Sequence, residues 1–108
     1  MPTGANTFRL PVGRGKTIER IVFGVGSTHH NKIYARIVID QLKNNGRGLG
    51  MVLAYGYASS YPSFSKDVVW EGNVHLPDES EWAVYILALN RTGIENGYNI
   101  TVHYGDDA

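Results

Sequence analysis

Cysteine is absent from this 108-residue chain, and no apolar run approaches the length that crosses a membrane. Without thiols, a disulfide scaffold, a cysteine nucleophile and a cysteine-ligated metal or iron–sulfur centre are excluded. The longest apolar-rich stretch, residues 82–89, is far shorter than the roughly 20 residues of a transmembrane helix. No apolar signal-peptide core follows Met1 either. We therefore expect a soluble chain without a membrane span.

An excess of charge of one sign is also lacking, because ten Lys and Arg residues balance ten Asp and Glu residues. The basic residues are scattered along the sequence, whereas nucleic-acid binders usually carry a basic excess or a basic stripe. We therefore expect no nucleic-acid partner. A net charge near zero leaves little repulsion between copies, which favours self-association or a place in a larger assembly.

What the chain does contain is a series of short segments with apolar residues at every second position. The clearest spans 98–104, where Tyr and β-branched residues alternate with polar ones, and 51–57 follows the same rule after an Asn-Gly turn signal. Residues 82–89 are almost continuously apolar, as expected for a strand covered on both faces. The pattern predicts an all-β chain of six to eight strands in a single small antiparallel β-sandwich, jelly-roll-like in type.

One segment fits two structures. Residues 32–43 carry a helical stripe of apolar positions, but Ile33, Ala35, Ile37 and Ile39 also fit one face of a strand. The β-branched content and the lack of a helix N-cap pattern favour the strand. The alternative is an α+β domain with one helix near residues 32–43.

The beginning of the chain differs from the rest. Residues 1–6 contain Pro2 and Gly4 and offer little to bury, which predicts a flexible N-terminal arm. Residues 7–108 then form the single sandwich domain.

The sequence contains no convincing catalytic or cofactor motif. His29 and His30 are adjacent, and neighbouring strand residues point to opposite faces, so a metal would need His75 or His103 as further ligands. The spacings of a nucleophile elbow, a calcium-binding EF-hand and a phosphate-binding glycine loop are all missing. We expect no cofactor, no bound metal and no enzymatic activity.

Aromatic residues are the richest feature of the sequence. Five of them fall within one predicted strand, the loop after it and the strand beyond: Tyr55, Tyr57, Tyr61, Phe64 and Trp70. Such side chains can fill a core, anchor a protein interface or stack on sugar rings. We take these five as the candidate interface or ligand platform.

The last third of the chain has a recognisable order of elements. Val69-Trp70-Glu71-Gly72 leads to a turn at Pro77, and two strand-like segments, 82–90 and 97–104, follow. This order resembles small β-sandwich proteins of virus particles, such as capsid decoration and minor capsid proteins of tailed phages. The resemblance implies a non-catalytic structural or assembly protein, virion-associated or extracellular, that contacts copies of itself as a homo-oligomer and a larger protein assembly.

The same order is also similar to that of carbohydrate-binding modules. That likeness implies an alternative function, a carbohydrate-binding domain with an aromatic platform and a glycan partner. A shared fold does not by itself decide between these functions.

Overall fold

A computed structural model describes residues 1–26, 30–45, 50–60 and 65–106 of the chain. It contains eight strands: β1 (Gly4–Gly13), β2 (Lys16–Gly26), β3 (Asn31–Gln41), β4 (Met51–Ser60), β5 (Ser65–Lys66), β6 (Val68–His75), β7 (Trp82–Asn90) and β8 (Gly97–Asp106). The helical content of these ranges is a three-residue 3-10 turn, Leu42–Asn44. No helix within them is therefore long and apolar enough to span a membrane.

The strands form two antiparallel sheets. A five-stranded sheet has the order β1-β7-β3-β4-β5, and a three-stranded sheet has the order β6-β2-β8. The chain changes sheet after β1, β2, β5, β6 and β7, so most consecutive strands lie in opposite layers. The predicted all-β sandwich of six to eight strands is confirmed.

The ambiguous segment is a strand, and the α+β alternative is wrong. β3 lies between β7 and β4 in the five-stranded sheet, and its centre is buried on both faces. Ile37 on the inner face and Val38 on the outer face are both buried, and apolar residues on two faces also produce the helical stripe seen in the sequence. After Gln41 the 3-10 turn ends at Asn45, whose φ of 52° is left-handed.

The core lies between the two layers. It is built from fully buried side chains of β2, β3 and β7, chiefly Ile18, Ile21, Phe23, Ile33, Ile37, Val84 and Ile86. Burying each such side chain contributes about 1.5–3 kcal/mol to folding. A smaller cluster of Val38, Ala83 and Tyr85 lies on the outer face of the five-stranded sheet, packed against Leu42 of the 3-10 turn.

Residues 1–6 do not form a separate arm, which corrects the prediction made for them. The Met1 side chain is buried, its amino group donates to the carbonyl of Asn96 at 2.6 Å, and β1 begins at Gly4. The physical reason is that β7 offers a bonding edge for this segment as far as Asn90, the partner of Gly4.

Candidate functional site

The outer face of the five-stranded sheet carries an aromatic patch. Strand alternation points Tyr34 and Arg36 of β3 outward, because their neighbour Ile37 faces the core. The register of β4 places Tyr57 directly opposite Tyr34 and Tyr55 directly opposite Arg36. Residues opposite one another in an antiparallel pair share a face, so these side chains form one patch.

Basic residues surround these tyrosines. Lys32 of β3 lies opposite Ser59, and Ser59 in turn lies opposite Lys66 of β5, so both lysines share the outer face. Arg91, just after β7, lines the same hollow as Lys32. We name this patch the basic aromatic face and define it by Lys32, Tyr34, Arg36, Tyr55, Tyr57, Lys66, Leu89 and Arg91.

The basic aromatic face has an excess of positive charge although the chain as a whole is neutral. None of its four cations takes part in an ion pair between described residues. Asp67, next to Lys66 in sequence, lies beside Gly24 of β2 and also lines a hollow with Tyr55, Tyr57 and Lys66, so one carboxylate borders the four cations. Asp40, at the far end of the same sheet, accepts hydrogen bonds from the Gln41 N–H and from Asn44 Nδ2 at 2.7 and 3.1 Å. The fold therefore creates a local field that attracts anionic groups.

The tyrosine rings of this face are exposed, but they do not form a flat surface. Tyr55 is 71% exposed and Tyr57 is 57% exposed. The rings of Tyr34 and Tyr57 have centroids 5.4 Å apart and meet edge to face at 68°. Beside them is a hollow of about 360 Å³, lined by Lys32, Tyr34, Tyr57, Leu89 and Arg91. The arrangement can hold one planar or aliphatic group against a ring, within reach of two cations.

The structure separates the aromatic residues that the sequence grouped together. Tyr55 and Tyr57 lie on the basic aromatic face, but Trp70 of β6 lies opposite Ile21 in the other sheet and packs against the core. Tyr61 and Phe64 lie outside the described residues.

Several members of the face were missed by reasoning from sequence. Tyr34, Lys32, Leu89 and Arg91 are distant from Tyr55 and Tyr57 in the chain and meet them only through strand pairing. The available signal was the outward series Lys32, Tyr34 and Arg36, which alternates with inward apolar residues. That series becomes readable only after residues 32–41 are assigned to a strand.

The histidines do not converge on a metal site in the part of the chain that is described. His75 Nδ1 lies 2.8 Å from Thr17 Oγ1. No group of three or more His, Asp or Glu side chains among the described residues could hold a metal ion. His29 lies outside the described residues.

No protein-family model, no curated protein and no solved structure matches this chain. The fold is that of a β-sandwich domain, and the functional argument rests on the geometry and charge of the basic aromatic face.

Proposed function

We propose that this chain is a non-catalytic structural or assembly protein that acts through protein–protein contacts, with the basic aromatic face as its docking surface. The observation that carries the proposal is the exposure of Tyr55 and Tyr57 in a patch that has four cations and is bordered by the Asp67 carboxylate. Tyr and Arg are enriched among the residues that dominate protein interfaces. The matching partner is an acidic protein surface, whose carboxylates would meet these cations.

The partner in this proposal is a larger protein assembly, in a virus particle or the extracellular space. The support for that setting is the resemblance of the last third of the chain to virion sandwich proteins, together with its sandwich fold. Attachment through one sheet face leaves the three-stranded sheet on the far side of the molecule available for a different contact.

Carbohydrate binding is the second candidate, and the hollow beside Tyr57 favours it. Its volume of about 360 Å³ falls in the lower part of the range of small-molecule sites. A sugar ring could stack on Tyr57 while Lys32 and Arg91 donate hydrogen bonds to its hydroxyls. The edge-to-face geometry of Tyr34, however, leaves only the Tyr57 ring of this pair for stacking, so the hollow offers no extended flat platform for a glycan chain. We therefore rank this function below protein contact.

Backbone-amide NMR titration of the full chain tests the proposal. The three probes are an oligo-glutamate peptide, a panel of neutral oligosaccharides, and a single-stranded oligonucleotide. We expect the peptide to shift amides of β3, β4 and β5, and added salt to weaken the binding. A variant that carries Tyr55→Ala and Tyr57→Ala should bind the peptide roughly tenfold more weakly or worse.

The matched control is Tyr104→Ala, which removes an exposed tyrosine of the other sheet, 48% exposed on β8. It should leave peptide binding unchanged. Peptide shifts located elsewhere, or none at all, would refute the docking surface. Oligosaccharide binding that depends on Tyr57 would establish the second candidate instead. Preferential oligonucleotide binding would overturn both the protein partner and the expectation of no nucleic-acid partner.

A further inference from the structure

β8 is an outer strand of the three-stranded sheet, and no described strand pairs with one of its two edges. Within the described residues it pairs with β2 alone, over ten residues from Gly97 to Asp106. A free edge of this length presents a row of backbone N–H and C=O groups that can pair with another strand.

Natural proteins usually protect such edges with proline, charge or a bulge. The outer strand β1 of the other sheet has all three, namely Pro11, Arg9 and a register shift between Pro11 and Gly13. β8 has no proline, and its one charged residue is Asp106, at the end, where it pairs with Lys16. The irregularity in the pairing of β2 with β8 lies on β2, between Ile18 and Arg20. β8 is therefore a regular strand, with no Lys, Arg, Asp or Glu from Gly97 to Gly105.

The sequence of β8 is nearly symmetric about Thr101. When it is read outward from that residue, each step meets side chains of the same kind: Ile100 and Val102, Asn99 and His103, Tyr98 and Tyr104, Gly97 and Gly105. In an antiparallel pair related by a two-fold axis through Thr101, these are the residues that face each other. Aromatic, β-branched and Thr–Thr pairs of this kind stabilise adjacent strands, and no like charges meet.

We propose that two copies of this chain associate through β8, antiparallel and centred on Thr101, to form one continuous sheet of order β6-β2-β8-β8-β2-β6. The inference deepens the proposed assembly function, on which it rests, by naming the self-contact. The occupant of the edge is a second copy because the match is between β8 and itself.

Exposed aromatic residues give this contact a hydrophobic contribution. Tyr98 and Tyr104 lie on the side of β8 that faces the other sheet, yet they remain 45% and 48% exposed. The Tyr98 ring stacks on Phe8 of β1, with centroids 4.3 Å apart. In the dimer Tyr98 of one copy lies against Tyr104 of the other, which covers ring surface that a single copy leaves in water.

A charge swap at Thr101 tests both the contact and its register. Thr101 is exposed, so Thr101→Lys and Thr101→Glu should each fold. Each variant puts like charges directly opposite one another at the two-fold axis, and we expect the dimer to weaken about tenfold or more. An equimolar mixture of the two variants should restore a dimer, because opposite charges then face each other. Sedimentation equilibrium measures all of these states.

The matched control is Thr7→Lys, an exposed threonine on the outer face of β1, which should dimerise like the parent chain. A parent chain that stays monomeric at high concentration would refute the inference, as would a dimer that neither Thr101 variant weakens. Two monomeric variants that fail to recombine would refute the register. If the parent chain is a monomer but still binds the oligo-glutamate peptide, only this inference is refuted. If the parent chain is a dimer but does not bind the peptide, only the proposed docking surface is refuted.

Discussion

Replacing Asn90 with alanine should destabilise the chain by about 2–3 kcal/mol. Asn90 ends β7 and is fully buried. Its Nδ2 donates to the carbonyls of Met1 and Ile94 at 3.2 and 2.9 Å, and its Oδ1 accepts from the Thr92 N–H and hydroxyl at 3.0 and 2.7 Å. One side chain thus joins the start of the chain, the 91–96 turn and the five-stranded sheet.

The size of this loss in stability depends on which hydrogen bonds the partners of Asn90 keep after the substitution. Four hydrogen bonds at a net value of about 1 kcal/mol each would give about 4 kcal/mol. The Thr92 hydroxyl, however, has one proton, and without Asn90 it can donate that proton to the Ile94 carbonyl, which also accepts from Asn96 Nδ2. The Met1 carbonyl still accepts from the Asn96 N–H. Among the described contacts, the group left without a partner is the Thr92 N–H. The loss is therefore smaller, about 2–3 kcal/mol.

Urea denaturation followed by tryptophan fluorescence measures this loss, and the thermal midpoint should fall by roughly 10 °C. Asn73→Ala is the control, because Asn73 is exposed on β6, and it should change the free energy of unfolding by less than about 0.5 kcal/mol. If the Asn90 variant loses under about 1 kcal/mol, its buried hydrogen bonds do not hold the turn and the reasoning fails.

Three further substitutions test other features. Gly72→Ala would place a Cβ 2.8 Å from the Trp70 ring, so it should lower the free energy of unfolding by about 1–3 kcal/mol and shift the tryptophan fluorescence. In the control Gly56→Ala the new Cβ meets nothing within 4 Å, and the loss of stability should be clearly smaller. Equal losses in the two variants would contradict the clash. Gly15→Ala should cost about 1–2 kcal/mol in urea denaturation, because φ is 58° there; an unchanged midpoint would disprove backbone strain. Burial raises the pKa of Tyr85 above its usual 10.0, so the folded chain keeps this proton to higher pH than the unfolded chain. Stability should then fall as pH rises above 10, and Tyr85→Phe should lessen that fall; an unchanged alkaline slope would show that this hydroxyl is not responsible.

Strand positions could be predicted from sequence where one face is buried and the other is exposed to water, and also where apolar residues run almost continuously. The alternation of residues 98–104 and the apolar run of 82–89 correspond to β8 and β7. Residues 32–43 stayed ambiguous because β3 is covered at its centre on both faces, which erases a simple period of two. The first six residues were misjudged because the bonding edge that orders them belongs to β7, far along the chain.

The candidate site was predictable only in part, for a related reason. Tyr55 and Tyr57 share one strand, so their common face follows from spacing alone. Lys32, Lys66 and Arg91 reach the same face through the register of three other elements, and register depends on pairings that a sequence does not display. A chain with scattered bases can therefore still build a basic surface, although its net charge is zero.

The central place of β7 bears on how the chain folds. This strand forms hydrogen bonds to β1 on one side and to β3 on the other. Both of these earlier strands therefore lack this pairing until a segment made late in synthesis is available. Closing the long loops between these strands costs entropy before the pairing contacts can stabilise the sheet, and this slows folding. In the unfinished chain on the ribosome, the bonding edge of β3 that pairs with β7 stays unpaired until β7 emerges. Arrival of the last third is then the step at which the five-stranded sheet closes cooperatively.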